Sequence, residues 1–198
     1  MKKISKILAA NRSEIAIRIF RAAEESNIKT AAIYSKEDRF AIHRFKTDES
    51  YLVGEGKGPI QAYLDIDSII KIAKDAKVDA IHPGYGFLSE SPELAEQCEK
   101  NDITFIGPSK EILRRFGNKT EAKKVAQDAD VKTVPSVIVS KENIKTVQKE
   151  VDKIGYPVIV KASWGGGGRG MRVVHSNKEL LDQITTAQSE SLKAFGKD

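Results

Sequence analysis

The first part of the chain predicts the fold class. Residues 4–26 read ISKILAANRSEIAIRIFRAAEES. Ile4 to Ala9 predict a first strand, and Ser13 to Ser26 carry apolar residues at helical spacing. A strand that leads directly into a helix is the beginning of a βαβ unit. The stretch therefore predicts an α/β fold.

The same alternation of strand and helix patterns continues through the first half of the chain. Further strands are predicted at 30–34, 78–82 and 103–106, and further helices around 66–73 and 93–101. This order predicts a doubly wound, Rossmann-like parallel sheet with helices on both faces. Such sheets bind ligands at the carboxyl ends of their strands. Those ends are residues 11–14, 35–39 and 82–90.

The pattern changes after residue 116. It predicts a charged helix at 119–129, a short strand at 137–139, a helix at 142–154 and a glycine-rich hairpin. We therefore expect three parts: a doubly wound α/β domain at 1–116, a helical linker at 117–134, and an incomplete α+β subdomain at 135–198.

The hairpin contains an unusual loop, because residues 163–170 read SWGGGGRG between two β-branched runs. Successive glycines expose backbone N–H groups that can surround an anion, and Lys161 and Arg169 add positive charge. The loop therefore predicts a phosphate site. A surface hairpin without a ligand is the alternative, although it would need neither Lys161 nor Arg169.

The loop differs from two known nucleotide-binding motifs. Gly165, Gly167 and Gly170 satisfy G-x-G-x-x-G, but the residues that follow predict a strand and not the helix of a dinucleotide site. A P-loop would need Lys and then Ser or Thr after its last glycine, where this chain has Met171 and Arg172. A glycine-rich hairpin lying over nucleotide phosphates remains.

The strand ends supply the other candidate residues. Residues 82–90 read HPGYGFLSE, in which Tyr85 and Glu90 are candidates for a site, while His82 is more simply a structural imidazole. Asn11 or Ser13 is expected to cap the following helix, with Glu14 favourable to its dipole. That interpretation needs no ligand.

Composition limits the classes of partner. The 198 residues include 33 basic and 28 acidic side chains, interleaved, with a net charge of +5. Nucleic acid is not indicated, and anionic small molecules suffice to explain the excess. The single Cys98 excludes an intrachain disulfide and is expected to be a buried thiol. No apolar run reaches membrane-spanning length and no signal segment is apparent, so a cytoplasmic location is the default expectation.

In order and spacing, these stretches resemble the amino-terminal part of biotin carboxylase, the ATP-grasp component of biotin-dependent carboxylases. The resemblance is carried by residues 10–16, 82–90, 117–119 and 161–174. Within the family, residues 34–39 and 63–67 look most like the pyruvate carboxylase branch, with the acetyl-CoA carboxylase subunit as the close alternative.

The resemblance implies an ATP-dependent ligase. In such enzymes ATP and bicarbonate form a carboxyphosphate, whose carboxyl group passes to biotin on a carrier domain that these residues do not contain. The sheet would be the pre-ATP-grasp domain, and 135–198 part of the ATP-grasp lid. The residues that would contact ATP are Lys119, Lys161, Gly165, Gly166, Gly167 and Gly168. Tyr85 and Gly86 would face the biotin side, and the helix with Arg18 would lie near a dimer contact.

Two departures from the family pattern are visible. Ser13 stands where the family usually has glycine and Ser91 where it usually has asparagine, so we expect a softened turn or cap at each. The family's magnesium-binding carboxylates and catalytic residues match positions beyond Asp198. No metal ligand or catalytic residue is therefore expected here, and we expect these 198 residues to bind nucleotide weakly and not to turn over alone.

Two other functions stay open. A non-catalytic nucleotide-binding or dimerisation module would bind ATP or ADP without chemistry. A nicotinamide oxidoreductase would also suit a doubly wound sheet, but the first strand leads into Ala9-Ala10-Asn11-Arg12 and not into a glycine loop.

Overall fold

The computed structural model describes residues 3–140, 143–144, 146–161 and 171–195. The chain divides into two compact units, residues 1–114 and 115–198. The first unit is built around a five-stranded sheet and the second around a two-stranded sheet.

The first unit has a fully parallel sheet of strand order β3-β2-β1-β4-β5. The strands are β1 (Lys6–Ala9), β2 (Lys29–Tyr34), β3 (Glu49–Leu52), β4 (Ala80–His82) and β5 (Thr104–Phe105). The helices are α1 (Ser13–Glu25), α2 (Pro59–Tyr63), α3 (Ile66–Asp75), α4 (Pro92–Lys100) and α5 (Lys110–Gly117), which contains the division between the units. Short 3-10 helices lie at Glu37–Phe40 and Ile42–Phe45. The predicted doubly wound parallel sheet is confirmed.

Helices pack on both faces of the sheet because neighbouring side chains of a strand point to opposite faces. Leu8 belongs to the larger core cluster with residues of α3 and α4, while Ile7 and Ala9 belong to a second cluster with α1. Cys98 of α4 is fully buried in the larger cluster, as predicted, and burial raises the pKa of its thiol to about 12.

The order of the strands reverses beside β1, which lies between β2 and β4. The chain adds β2 and β3 on one side of β1, and then returns to add β4 and β5 on the other. In open α/β sheets this reversal leaves a crevice at the carboxyl ends of the two strands, where ligands commonly bind. A ligand site is therefore expected between the segments that follow β1 and β4.

The second unit contains α6 (Lys119–Asp128), α7 (Val147–Ile154), β6 (Val158–Val160), β7 (Arg172–Val174) and α8 (Asn177–Phe195). β6 and β7 are antiparallel, with Ile159 opposite Val173, so the predicted hairpin strands are confirmed. Val147, Val151 and Val174 form its small core with residues of α8.

Two predictions for the second unit are wrong. Residues 137–139 form no strand, because Val137 and Val139 pack against the core of this unit instead of joining a ladder. The helix predicted from 142 begins at Val147, after a turn in which Asn143 accepts from the Ser140 N–H at 2.8 Å and donates to the Ile138 carbonyl at 2.7 Å. An asparagine that bonds local backbone competes with helix formation.

Candidate functional site

Asn11 fills the crevice between β1 and β4. Its side chain is 3% exposed. Nδ2 donates to the carbonyl oxygens of Pro83 at 2.7 Å and Tyr85 at 2.8 Å, and Oδ1 accepts from the Arg12 N–H at 2.9 Å. The loop after β1 is thus joined to the loop after β4. The segment after β1 thus differs from the glycine loop that the nicotinamide alternative would need at this position.

The predicted role of Asn11 or Ser13 as a helix cap is wrong. Arg12 is the N-cap residue of α1, and its side chain makes no capping hydrogen bond. The Asn11 amide is engaged with the loop after β4 instead. Ser13 is the first residue of the helix and has φ of +56°, in the left-handed region. The expected softening at Ser13 therefore has a conformational cause, since glycine adopts this region without a steric penalty.

Ser91 keeps the function of a cap, so the expected weakening does not occur at this position. Its hydroxyl accepts from the Leu94 N–H at 3.1 Å at the beginning of α4. Serine and asparagine are about equally good N-cap residues.

Tyr85 and Gly86 lie on the surface of the loop after β4. Tyr85 is 61% exposed and its hydroxyl donates to Glu14, and this hydrogen bond raises the pKa of the phenol. Gly86 has φ of +68°, and no atom lies within 4 Å of the position that a Cβ would take. Both residues are therefore accessible to a ligand. Glu90, the other candidate of this loop, is exposed as well.

His82 has the structural role that the sequence predicts. Its Nδ1 accepts from the Gly84 N–H at 3.0 Å, and burial lowers the pKa of the ring. A neutral imidazole that holds its own loop needs no part in proton transfer.

Arg12 connects the third strand-end segment, residues 35–39, with the segments that follow β1 and β4. An Arg12 nitrogen lies 3.2 Å from Oδ2 of Asp38, and the guanidinium carbon lies 5.6 Å from the ring centroids of Tyr63 and Phe87. The two rings stack with centroids 5.1 Å apart. Burial alone would raise the pKa of Asp38, but hydrogen bonds from Tyr63 and Arg12 outweigh it and lower that pKa.

Arg12 and Asp38 were both predicted to lie at the edge of the sheet where ligands bind, and the structure brings them together. The contribution of Tyr63 was missed, because this residue lies 25 positions after Asp38 in α2 and no local motif marks it.

An apolar groove of about 440 Å³ opens beside α1. Ile15, Arg18 and Ile19 of the helix line it together with Ile7, His82 and Tyr85. The exposed Arg18 is thus next to apolar surface, in the place where the resemblance implies a dimer contact.

In the second unit, two of the predicted ATP ligands lie in described segments. Lys119 is the first residue of α6, whose N-cap Asn118 accepts from the Thr120 and Glu121 N–H groups at 2.9 and 3.3 Å. Lys161 is exposed and directly follows β6, at the mouth of the hairpin. The glycines at 165–168 and Arg169 lie outside the described residues.

The chain matches two protein families along its length. Residues 3–113 match the family described as biotin carboxylase, N-terminal domain, and residues 118–198 match the ATP binding domain of the carbamoyl-phosphate synthase L chain. The chain belongs to the biotin carboxylase family. The resemblance predicted from the sequence motifs is confirmed.

Relatives of this biotin carboxylase segment include much longer enzymes. It is 54% identical to the pyruvate carboxylase of Bacillus subtilis over 197 residues, which are 100% of the chain and 17% of that protein. Among solved structures it is similar to Rhizobium etli pyruvate carboxylase with the allosteric activator acetyl coenzyme A, at 53% identity and a TM-score of 0.89, over 100% of this chain and 18% of that one. The predicted likeness to pyruvate carboxylase within the family is confirmed.

A second solved relative carries ligands. The biotin carboxylase domain dimer of Hydrogenobacter thermophilus 2-oxoglutarate carboxylase, in complex with MgADP, ADP and bicarbonate, is 40% identical, with a TM-score of 0.92. The match covers 100% of this chain and 43% of that one.

The described part of this biotin carboxylase segment shows neither a cluster of metal ligands nor a membrane-spanning helix. Within residues 3–140, 143–144, 146–161 and 171–195, no three side chains of His, Cys, Asp or Glu are grouped to hold a metal ion. No helix of the same described part is long and apolar enough to cross a membrane.

Proposed function

We propose that this chain supplies the amino-terminal part of the biotin carboxylase of a pyruvate carboxylase-like enzyme, which carboxylates biotin with ATP and bicarbonate. The observation that carries the proposal is the hairpin of β6 and β7, in which β6 is followed by the exposed Lys161 and, four positions later in the sequence, by a run of four glycines. The identity of 54% with a pyruvate carboxylase supports the choice within the family.

In this proposal the second unit binds ATP. Lys119 and Lys161 contact the phosphates, and Gly165, Gly166, Gly167 and Gly168 close over them. Positive charges fixed around a transferring phosphoryl group stabilise its transition state, and a closed lid excludes water from a labile carboxyphosphate. The match of residues 118–198 to an ATP-binding domain supports this assignment.

The first unit forms the biotin side. Tyr85 and Gly86 are exposed in the loop after β4, where biotin on a carrier domain could approach them. We propose that this α/β domain extends to about residue 116, that 117–134 links it to the lid, and that the lid occupies 135–198. Family matches at 3–113 and 118–198 support a limit near residue 116, whereas the limit at 134 rests on the sequence pattern alone.

The magnesium ligands and the catalytic residues are proposed to lie outside these 198 residues. Phosphoryl transfer requires Mg²⁺ beside the phosphates, and the cation is held through carboxylates. The relatives extend far beyond the matched segment, which is 17% of the Bacillus subtilis protein. We also propose that α1, with Arg18, takes part in a homodimer contact, which the dimer of the 2-oxoglutarate carboxylase domain supports.

Calorimetric titration with Mg-ATP tests the proposal. The chain should bind ATP saturably, and Lys161→Ala should abolish the binding. Lys153→Ala, which removes an exposed lysine from the last turn of α7, is the matched control and should bind like the wild type. Equal loss in both variants, or no effect of either, would contradict the assignment of Lys161.

Turnover is measured in a chimera in which these 198 residues replace the matching segment of the Bacillus subtilis pyruvate carboxylase. We expect bicarbonate-dependent release of ADP from the chimera and none from the 198 residues alone. An inactive chimera that is folded would overturn the proposed function. Turnover by the 198 residues alone would overturn the placement of the catalytic residues.

A further inference from the structure

We infer that Asn11 is a positioning residue, which holds the loop bearing Tyr85 and Gly86 in the conformation that the biotin half-reaction needs. The inference rests on the proposed function for its link to biotin. That Asn11 holds the loop is supported by its hydrogen bonds, whatever the function of the loop.

The hydrogen bonds of Asn11 use both protons of its amide. Nδ2 donates to the Pro83 and Tyr85 carbonyls at 2.7 and 2.8 Å, while Oδ1 accepts from the Arg12 N–H. A primary amide supplies two donors and an acceptor from one short side chain. A carboxylate of the same shape has no proton to give, and a serine has one.

The fit between Asn11 and the loop is close as well as polar. Gly84 has φ of +67°, and a Cβ built on it would lie 2.9 Å from Nδ2 of Asn11 and 3.0 Å from Cγ1 of Ile15. The backbone between the two bonded carbonyls therefore rests directly against the amide. A shift of Pro83 would break a buried hydrogen bond, and a shift of Tyr85 would break a partly buried one, each at a cost in free energy.

The hydrogen bond from Asn11 affects the exposed Tyr85 and Gly86 through the backbone. The carbonyl of Tyr85 that accepts from Asn11 is in the peptide group that leads to Gly86. Fixing that peptide sets the direction in which the Tyr85 side chain leaves the loop. Displacement of a reacting partner by about 1 Å can cost on the order of a hundredfold in rate.

Asn11→Asp is the sharpest test, because it keeps the shape and turns two donors into a carboxylate that faces two carbonyl oxygens. Asn101→Asp is the matched control. Nδ2 of Asn101 donates to the Gln97 carbonyl at 2.8 Å at the end of α4, in the same unit but away from the strand-end loops. Both variants add one negative charge. Asn11→Asp removes two hydrogen bonds from a side-chain amide to backbone carbonyls, and Asn101→Asp removes one.

In the 198-residue chain, the amide resonances of Gly84 and Gly86 report the loop. We expect Asn11→Asp to shift both, and Asn101→Asp to leave both unchanged. The shifts should diminish as pH falls through the pKa of the new carboxyl, because its protonated form regains one donor. Unchanged resonances in Asn11→Asp, or equal changes in the control, would overturn the inference. Should Asn11→Asp fail to fold, Asn11→Ser carries the same readout without the charge.

The chimera tests the link to biotin. We expect Asn11→Asp to raise the KM for free biotin on the order of tenfold, as the loss of a buried hydrogen bond can do, while the KM for ATP stays within about twofold. Asn101→Asp should change neither. A wild-type chimera without activity refutes the proposed function, whereas an active one in which Asn11→Asp keeps its KM for biotin refutes only the role of Asn11.

Discussion

The hydroxyl of Tyr63 donates a hydrogen bond of 2.8 Å to Oδ2 of Asp38. The bond joins α2 to the 3-10 helix that follows β2, and Arg12 approaches the same oxygen from the end of β1. Burial and the bond to the carboxylate both raise the pKa of Tyr63. The phenol therefore stays protonated and remains a donor to an ionised acceptor.

Removal of this hydroxyl should be costly. We expect Tyr63→Phe to lower the free energy of unfolding by about 1–3 kcal/mol, the usual effect of losing a buried hydrogen bond to a charged group. Tyr51→Phe is the control, because that hydroxyl bonds Glu49 at 2.6 Å in a partly exposed position. Its expected loss is below about 1 kcal/mol. Urea denaturation measures both, and equal losses would contradict the importance of the Tyr63 bond.

The ion pair of Asp38 predicts a dependence of stability on pH. The folded-state pKa of Asp38 lies below its ordinary value of 3.8, so an unfolded chain takes up this proton first as pH falls. The contribution of Asp38 is fully present above the unfolded-state pKa and is lost as pH falls through the folded-state pKa. We expect Asp38→Asn to be less stable than the wild type at about pH 6, with a difference that narrows towards about pH 3. Asp67→Asn, at an exposed position, is the control. If its stability difference from the wild type narrowed in the same way between about pH 6 and about pH 3, the pH dependence could not be assigned to Asp38.

Alanine substitutions at two glycines of one loop distinguish the cost in stability of backbone strain from that of steric crowding. Gly84 and Gly86 have nearly the same positive φ, at +67° and +68°, but only a Cβ on Gly84 would meet other atoms. Gly86→Ala should lose about 1–2 kcal/mol through the left-handed conformation. Gly84→Ala should lose about 1–3 kcal/mol more, through overpacking against Asn11 and Ile15. Thermal and urea denaturation of the pair measure the difference, and equal stabilities would mean that the contact with Asn11 is loose.

Ser13 offers a stabilising substitution. Because its φ is +56°, glycine would relieve a left-handed conformation. The greater freedom of glycine in the unfolded chain offsets part of this gain, which leaves about 0.5–1 kcal/mol. Ser26→Gly, at the other end of α1 with φ of −94°, should give no gain. An unchanged or lower midpoint of urea unfolding for Ser13→Gly would show that this position is not strained.

The sequence pattern predicted the sheet, because short apolar strand segments alternate along the chain with segments whose apolar residues have helical spacing. The runs at Ile7 and Thr30 became neighbouring parallel strands, and the strand-end segments met at one edge. The edge strand β3 was missed, since Glu49 and Tyr51 are polar or partly exposed and give no apolar run.

Local capping rules failed where tertiary contacts were stronger. Asn11 is a residue type that commonly caps helices, but its side-chain amide donates hydrogen bonds to two carbonyls that lie more than seventy residues further along the chain. The contact of Asp38 with Tyr63 likewise spans 25 residues. A pattern read within a few positions cannot predict such pairs, because their geometry depends on how the strands are ordered.

The crevice occupied by Asn11 also affects how the first unit depends on its surroundings. A sheet of this order that binds a dinucleotide in its crevice gains stability from the cofactor by mass action, and loses it when the cofactor is scarce. In this chain the group between the two loops is Asn11, a side chain of the protein itself, so its presence does not depend on a ligand concentration. Nucleotide is therefore not expected to stabilise the first unit by binding between these two loops, which Asn11 already joins.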